Sequence, residues 1–468
     1  MKKVVTRFAP SPTGPFHIGG ARTVLFNYLF AKSNNGKLIL RIEDTDTERS
    51  EKKWEDQIID SLNWLGIDYD EVFRQSERGE IYEKYLNEIL ESGQAYRCFC
   101  TKEELDKEKE DQKEKSLAPR YSGKCREIDK AESDQRAGEG ESFVIRFKVP
   151  AERLEYEDLV HKKISEDMSN LSDFVIAKGM KALFNFVNVV DDHEMGVTHV
   201  IRGEDHIPNT FKHILIFEAF SWELPKFAHI PLLLSPEKKK ISKRDSEGLP
   251  VTITALREKG ILSEAAVNFF ALLGWNPGTE EEFFSLEDLE NRFSLGRVGK
   301  SASIYDMSRL EFFNSTYIRK LSDKDFSEKI KSFLTYEKVP ENFLEISKTI
   351  KERARFLSEA QELLKWFFEY ELPSKDLILN EKMKVDEEIA KKVLEKSLDL
   401  LRRENDFSEE NLKEKFLNLV KELGLKNGQV LWPVRAALTG EKFSPGAFEV
   451  ASCLGKEECV KRMEKIKI

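Results

Sequence analysis

Cysteine is scarce in this chain, five in 468 residues, and the five fall too unevenly to staple a fold of this size, which excludes a disulfide framework. Long apolar runs are missing too. None approaches the ~18 residues of a membrane span, and Met1-Lys2-Lys3 is followed by Arg7 and a proline-rich loop where a signal peptide would have its apolar core. We therefore expect a cytoplasmic protein without a membrane partner. There is no internal repeat and no low-complexity linker. Nor is there an excess of positive charge: the net charge of -10 argues at first sight against nucleic acid, because phosphate contacts are made by Lys and Arg. Local clusters qualify that. Basic residues gather at Lys238 to Lys243, Arg353 to Arg355 and Arg402-Arg403, while the alternating charges of 102–115 read as a solvated helix face. Charge neither supports nor excludes RNA.

What is present describes a globular protein, 40% hydrophobic and 34% charged, and long enough for several domains. Strands and helices alternate at first. Val4 to Phe8 reads as a strand, Ala21 to Phe30 as a helix, Leu38 to Ile42 as a second strand after the Asn34-Asn35-Gly36 turn, and two amphipathic helices follow around Ile58 and Leu86. This is βαβ organisation, with ligand expected at the strand C-terminal ends. From about Tyr96 to Asn185 the pattern breaks into a charged helix, a Gly-rich turn and strands such as Phe143 to Val149, as in an inserted domain. Apolar strands are expected again at Phe186 to Val190 and Val197 to Ile201, with a helix near Thr210 to Phe220. Beyond Leu321 the signals are almost all helical.

The segment Arg7-Phe8-Ala9-Pro10-Ser11-Pro12-Thr13-Gly14-Pro15-Phe16-His17-Ile18-Gly19-Gly20 joins the first strand to the first helix. A strand feeding a helix in this way aims backbone N–H groups and the positive helix end at an anion, and Gly19 and Gly20 let the anion come close. An ordinary βα turn with a surface histidine would read the same. Likewise Lys238-Lys239-Lys240-Ile241-Ser242-Lys243-Arg244 could be no more than an exposed basic loop. Cys98-Phe99-Cys100 and Tyr121-Ser122-Gly123-Lys124-Cys125 bring together three thiols and a phenol at a spacing that suits tetrahedral, sulfur-rich Zn²⁺, with buried reduced cysteines as the alternative.

Taken together, His17-Ile18-Gly19-Gly20, Lys240-Ile241-Ser242-Lys243-Arg244, Arg41-Ile42-Glu43-Asp44-Thr45-Asp46, Val189-Val190-Asp191-Asp192-His193 and Val200-Ile201-Arg202-Gly203-Glu204-Asp205-His206 resemble the class I aminoacyl-tRNA synthetases, and among them the bacterial glutamyl enzymes. The resemblance runs over nearly the whole chain. It implies an α/β fold class: a Rossmann-type parallel-sheet catalytic domain in two halves, 1–95 and 186–250, split by an inserted α+β acceptor-binding domain at 96–185. A stem-contact domain at 251–320 and an α-helical anticodon-binding region at 321–468 would follow. It also implies a ligase that activates L-glutamate with ATP and Mg²⁺ to the adenylate and transfers glutamate to the 3′-terminal adenosine of tRNA(Glu), and that works as a monomer. Whether tRNA(Gln) is charged as well is left open by the sequence.

By the same resemblance His17, Lys240 and Lys243 are catalytic and, with Gly19 and Gly20, bind ATP. Glu43 takes the substrate ammonium, and Arg7 and Arg202 take the side-chain carboxylate. Ser11, Asn188 and Phe184 complete the amino-acid pocket. Arg353 and Arg355 fall where strict relatives read the anticodon, and Cys98, Cys100, Tyr121 and Cys125 are implied zinc ligands, flanked by Arg97, Arg120, Lys124 and Arg126. Two departures stand out: Gly20 where the class has a second histidine, and Phe184 where relatives have tyrosine. For Arg202 a salt bridge to Glu204 or Asp205 is the simpler reading. A tRNA-modifying paralogue, a glutaminyl enzyme and a non-catalytic RNA-binding module remain as alternatives.

Overall fold

Strand β1 (Val5–Phe8) is buried over Thr6 to Phe8 and pairs in parallel with β2 (Lys37–Ile42), Val5 opposite Lys37. The structure is a computed structural model that describes residues 3–46, 48–239, 241, 249–336 and 338–468; Lys240 and Lys243 therefore lie outside the described residues. Between the two strands runs α1 (Ile18–Ser33), apolar on most of its surface and buried accordingly. The chain returns to the sheet through Gly36, where a β-carbon would stand 2.4 Å from the Val4 carbonyl oxygen, so no other residue fits that turn. Helix α2 (Lys52–Trp64) leads to β3 (Glu71–Arg74), parallel to β2. Helix α3 (Gly79–Glu91) buries Tyr82, Tyr85, Leu86 and Ile89, an i, i+3, i+4, i+7 stripe.

The 96–185 stretch begins within β4 (Ala95–Cys98), followed by α4 (Lys102–Glu114) and α5 (Lys130–Gly138). Helix α4 buries no residue, and Thr101 and Glu104 form a reciprocal cap at its start, as a charged solvated helix needs. Four more strands complete the segment: β5 (Val144–Phe147), β6 (Arg153–Asp158), β7 (Lys162–Asp167) and β8 (Val175–Lys178), with the short β9 (Lys181–Ala182) after them. Strands β4, β5, β8 and β9 form an antiparallel sheet in the order β4-β5-β8-β9.

The chain then differs from its expected course. Phe186 to Val190 is not a strand but the heart of α6 (Phe184–Glu194). A short apolar run is ambiguous between a buried strand and a buried helix, and two polar side chains, one within it and one just after it, decide the matter here. Asn188 and Asp192 both hold Arg41, at 2.7 and 2.6 Å. One guanidinium spans residues four apart on a helix, at about 6 Å, but not along a strand, where they are roughly 13 Å apart. The next strand, β10 (His199–Gly203), starts two residues later than expected and so carries Arg202 near its C-terminal end. Helix α7 (Ile207–Ala219) and β11 (Lys226–Ile230) follow, β11 parallel to β10.

The Thr198 N–H donates to the Val5 carbonyl at 3.0 Å, and the Val5 N–H to Thr198 Oγ1 at 2.9 Å, so β10 enters beside β1, on the side away from β2. The order of strands thus reverses at β1. In a doubly wound sheet the crevice at such a reversal, at the strand C-terminal ends, is where ligands bind.

The chain divides into two compact units, Met1–Ala255 with Ala266–Met307, and Leu256–Ala265 with Ser308–Ile468. In the second, helices dominate from Asp323–Lys331 to Ala447–Glu464, with an isolated bridge between Asn380 and Val385. Its core is built from helical stripes such as Phe326 with Ile330 and Leu412 with Phe416, Leu419 and Val420. Among the described residues no helix is long and apolar enough to cross a membrane.

Candidate active site

At the sheet reversal lies a cavity of about 420 Å³. It is lined by Arg7, Ser11, His17, Gly19, Gly20, Glu43, Phe184, Asn188 and Arg202, so every described residue assigned from the sequence to the nucleotide or the amino acid faces one space.

His17 caps α1: its Nδ1 accepts the Gly19 N–H at 3.1 Å, which puts the proton of the neutral ring on Nε2. The first turn of α1 holds no acidic residue, so the positive end of this 16-residue helix is not neutralised by its own sequence. Gly20 is required locally, because a β-carbon there would stand 2.7 Å from Cε2 of Phe16. The turn is fastened from the far side of the signature lysine loop. The Ile18 N–H donates to the Val251 carbonyl and the Ile253 N–H to the Phe16 carbonyl, each at 3.0 Å, while Ile241 lines the cavity.

Opposite lies a buried ionic network. Asp192 Oδ1 accepts from Arg41 Nη1 at 2.6 Å and from Arg7 Nε at 3.1 Å. Burial would raise the Asp192 pKa, but the two guanidiniums outweigh it and hold the carboxyl below its ordinary range. Asp191 is gripped in turn by Gln75, Arg78 and Tyr82, which fixes the end of α6. Glu43 behaves in the opposite way. It is buried, it meets Arg41 at only 3.5 Å, and burial raises its pKa despite Arg41 and Arg7. Such a carboxylate is stabilised by an incoming cation. Asn188 serves the same frame, its Oδ1 accepting from Arg41 and its Nδ2 donating to the Phe184 carbonyl at 3.2 Å. Phe184 itself is 40% exposed, with its ring 6.2 Å from that of His213, and Ser11 is exposed at the rim.

Arg202 is buried, and among the described residues it makes no ion pair. Its donors go to neutral acceptors: Thr210 Oγ1 at 2.7 Å, His213 Nδ1 at 3.3 Å and, more weakly, His229 Nε2 at 3.4 Å. The salt bridge to Glu204 or Asp205 is not formed; Glu204 accepts the Leu232 N–H. Burial, with Arg7 nearby, pulls the Arg202 pKa down to about 9. A cation in that state lacks an anion.

The thiols of Cys98, Cys100 and Cys125 lie within 4.8 Å of one another. Tyr121 Oη points among them, 3.3 Å from Cys98 Sγ and 3.8 Å from Cys100 Sγ, and accepts the Cys125 N–H at 2.9 Å. The four groups are thus close enough for one ion to gather them; the three thiols are donors that zinc prefers, and the phenol would be an unusual fourth. Burial and the neighbouring Cys125 push the Cys100 thiol up to about 12, while at Cys98 burial is outweighed by hydrogen bonds from Tyr121 and Arg146, which hold that thiol below its ordinary value. Of the cations expected beside the thiols, Lys124 lies within electrostatic reach of Cys100 and Cys125, and one more, Arg146, was missed in the sequence. Arg97 pairs with Asp134 and Arg126 approaches Asp173, whereas Arg146 lies over the Tyr121 ring at 3.9 Å and belongs to β5, far from the cysteines in sequence. Arg41, Asp192, Thr210, His213 and His229 were missed as well. Only Arg41 left a signal, two residues from Glu43 and hence on the same face of β2.

In the second unit Arg353 and Arg355 are both exposed, in the turn after the helix Phe343–Lys351. Arg355 is engaged by Glu359 at 2.6 Å and Glu311 at 3.1 Å.

Comparison with known proteins agrees with this geometry. The family of the tRNA synthetases class I (E and Q), catalytic domain, matches residues 3–312, and that of the anticodon binding domain matches 325–467. A glutamate–tRNA ligase of Aquifex aeolicus is 44% identical, over 100% of this chain and 99% of its own length. One from Carboxydothermus hydrogenoformans is 42% identical, over 98% of this chain and 99% of its own. Among solved structures, a glutamate tRNA ligase from Elizabethkingia meningosepticum in complex with its amino acid superposes with a TM-score of 0.91 at 35% identity, covering 99% of both chains. Sequence and architecture agree from end to end: the chain belongs to the class I tRNA synthetases of the glutamate and glutamine group, on the glutamate–tRNA ligase branch.

Proposed function

We propose that the cavity at the sheet reversal is where this ligase activates glutamate, with His17 and the signature lysines on the phosphates and Arg7, Glu43 and Arg202 on the amino acid. The reaction is that of the family: glutamate and ATP give glutamyl-adenylate and pyrophosphate, and glutamate then passes to tRNA. The observation that carries the pocket assignment is Arg202, buried, unpaired with any carboxylate among the described residues, and facing the same cavity as Glu43. A guanidinium fork matches a carboxylate and would leave donors unused against an amide, which favours glutamate over glutamine.

In the first step the substrate α-carboxylate attacks the α-phosphorus as pyrophosphate leaves, and negative charge gathers on phosphate oxygens. In this reading the Nε2–H of His17 and the start of α1 meet that charge, with Lys240 and Lys243 as further donors by family resemblance. Mg²⁺, which class I synthetases use with ATP, supplies neutralisation of the phosphates. Gly19 and Gly20 keep the helix entrance open, and Ser11, Phe184 and Asn188 bound the amino-acid end.

Cys98, Cys100, Tyr121 and Cys125 would hold Zn²⁺ as a structural ion, tying the start of the inserted segment to its Tyr121–Cys125 turn. The segment 96–185 is read as the acceptor-end domain, 251–320 as the stem contact and 321–468 as the anticodon-binding region. Arg353 is the better placed of the two arginines to meet RNA, because Arg355 is already occupied by two carboxylates. The helical second unit counts against a tRNA-modifying paralogue. We read the enzyme as a cytoplasmic monomer that charges tRNA(Glu), with tRNA(Gln) as a second acceptor to be tried.

ATP–pyrophosphate exchange with glutamate, glutamine and aspartate, in the presence and absence of tRNA(Glu) and tRNA(Gln), tests the reading. Exchange is expected with glutamate and tRNA together. Equal exchange with glutamine would refute the assignment of Arg202.

A further inference from the structure

Arg202 sits in surroundings unusual for a buried arginine. Thr210, His213 and His229 take its Nη2, Nη1 and Nε donors, and none of the three brings a negative charge. Asp158 stands behind His229: its Oδ2 is 2.7 Å from His229 Nδ1, with both side chains fully buried. Asp158 also accepts the backbone N–H groups of Val160 and His161 at 2.8 Å and of His229 at 3.1 Å, so it remains an acceptor, held below the ordinary carboxyl range. An ionised acceptor at Nδ1 places the His229 proton there and turns the bare Nε2 lone pair toward Thr210 Oγ1, at 2.8 Å, and Arg202. His213 is set in the same sense. Its Nε2–H donates to Asn185 Oδ1 at 3.2 Å, leaving the Nδ1 lone pair for Arg202.

We propose that Thr210, His213 and His229 form a cradle of uncharged acceptors, with the Asp158 carboxylate set behind His229 as its positioning residue, which fixes the Arg202 fork while leaving its positive charge for the side-chain carboxylate of the substrate. The inference rests on the assignment of Arg202 to that carboxylate. A direct carboxylate partner would have fixed the arginine equally well, but it would have neutralised the charge that tells a carboxylate from an amide. Neutral acceptors supply orientation alone. Asp158 acts only through His229, by choosing its tautomer, and the burial of both imidazoles keeps them unprotonated beside the cation.

The test is a set of variants in the full-length enzyme, read by tRNA-dependent pyrophosphate exchange with KM for glutamate and for ATP measured separately. Thr210→Val keeps the shape and removes the shortest bond to Arg202, while Thr210→Ser restores a hydroxyl. His213→Leu removes an acceptor that His213→Gln supplies again. Thr210→Val and His213→Leu are each expected to raise glutamate KM by about tenfold, the worth of one hydrogen bond to a charged group, and to lower the preference for glutamate over glutamine. ATP KM should stay unchanged, and the Ser and Gln variants should recover most of the loss. Arg202→Ala is the reference. If it raises glutamate KM while Thr210→Val does not, the cradle is wrong and the pocket stands. If Arg202→Ala itself leaves glutamate KM unchanged, the pocket assignment fails first. A Thr210→Val enzyme whose glutamate and ATP constants rise together, with no recovery in Thr210→Ser, would mark the residue as merely structural and overturn the proposal.

Discussion

The ring of Phe16 fills the place where a side chain on Gly20 would have to go, its Cε2 only 2.7 Å from where a β-carbon would stand. Phe16 is itself packed edge-on against Phe8, centroids 5.8 Å apart, so the ring has little room to retreat. Gly20→Ala should therefore lose about 1–3 kcal/mol of stability, as overpacking usually does, and disturb the helix entrance. Denaturant unfolding measures the first effect and ATP KM the second. Phe16→Leu in the same chain should restore part of both. Wild-type stability in Gly20→Ala would show that the ring moves freely.

His17 has two roles that substitution can separate. It caps α1 through Nδ1, which leaves the ring proton on Nε2, and it lines the cavity. His17→Ala loses both, and should raise the barrier to adenylate formation by ~3 kcal/mol and destabilise the protein by about 1 kcal/mol. His17→Asn keeps a good cap and should show the kinetic loss with near-normal unfolding. Single-turnover adenylate formation at saturating substrates decides. If His17→Asn turns over like wild type, the imidazole has no part in the chemistry.

Glu43 and Asp192 should respond to pH with opposite signs. Asp192 has its folded pKa depressed, so the stability it contributes is present above the unfolded value near ~4 and is lost as pH falls through the folded value. Glu43 has its folded pKa raised, so its contribution is present below the unfolded value, near ~4.3, and is lost as pH rises through the folded one. Glu43→Gln is thus expected to stabilise the empty enzyme at neutral pH while weakening glutamate. Asp192→Asn should destabilise it, by roughly 3–5 kcal/mol, because Arg7 and Arg41 lose a buried partner. Urea midpoints between pH 3 and 8 would show both, and a loss of neutral-pH stability in Glu43→Gln would contradict the first.

Three thiolates and a phenolate around Zn²⁺ would carry a net charge of about −2, and Arg146 over the Tyr121 ring is one cation that would offset it. Arg146→Met should weaken zinc retention against a chelator; Arg97→Met, whose guanidinium is engaged by Asp134, should not. Tyr121→Phe should release zinc more readily without unfolding the catalytic sheet. Metal analysis of protein purified without chelator is expected to find one zinc per chain. Its absence, with Cys98, Cys100 and Cys125 freely alkylated in native protein, would leave only packed thiols.

Arg355 is held by Glu311 and Glu359, so Arg355→Ala should change tRNA affinity little, whereas Arg353→Ala should weaken it and lower its salt dependence. Filter binding at two salt concentrations checks this, and the reverse order of effects would exchange the two roles.

Residues that work through their neighbours along the chain were readable in the sequence, and those that work across it were not. His17, Gly19 and Gly20 announce themselves because a cap, a helix start and a tight turn are local matters. Glu43 and Arg202 were assigned through family words, yet nothing nearby in sequence says that Arg202 has no acid partner; that depends on His213 and on His229, from the next helix and the next strand. The same blindness explains Phe186 to Val190. Its β-branched residues favour a strand locally, but the tertiary demand that Asn188 and Asp192 meet one guanidinium overrides the preference. Arg146 was invisible for the same reason, since β5 and the cysteine turns meet only in the folded chain.

Strand β6 touches β11 at a single register point, Asp158 opposite Phe227, and Asp158 belongs to the 96–185 segment that we read as an insert between two halves of the nucleotide fold. That thin seam has a consequence for anyone who would treat the interruption as a cassette. Swapping 96–185 between enzymes would transplant the acid beneath His229 along with the outer surface, so chimeras made at those borders should inherit amino-acid selectivity from the donor of the insert as well as from the donor of the nucleotide fold.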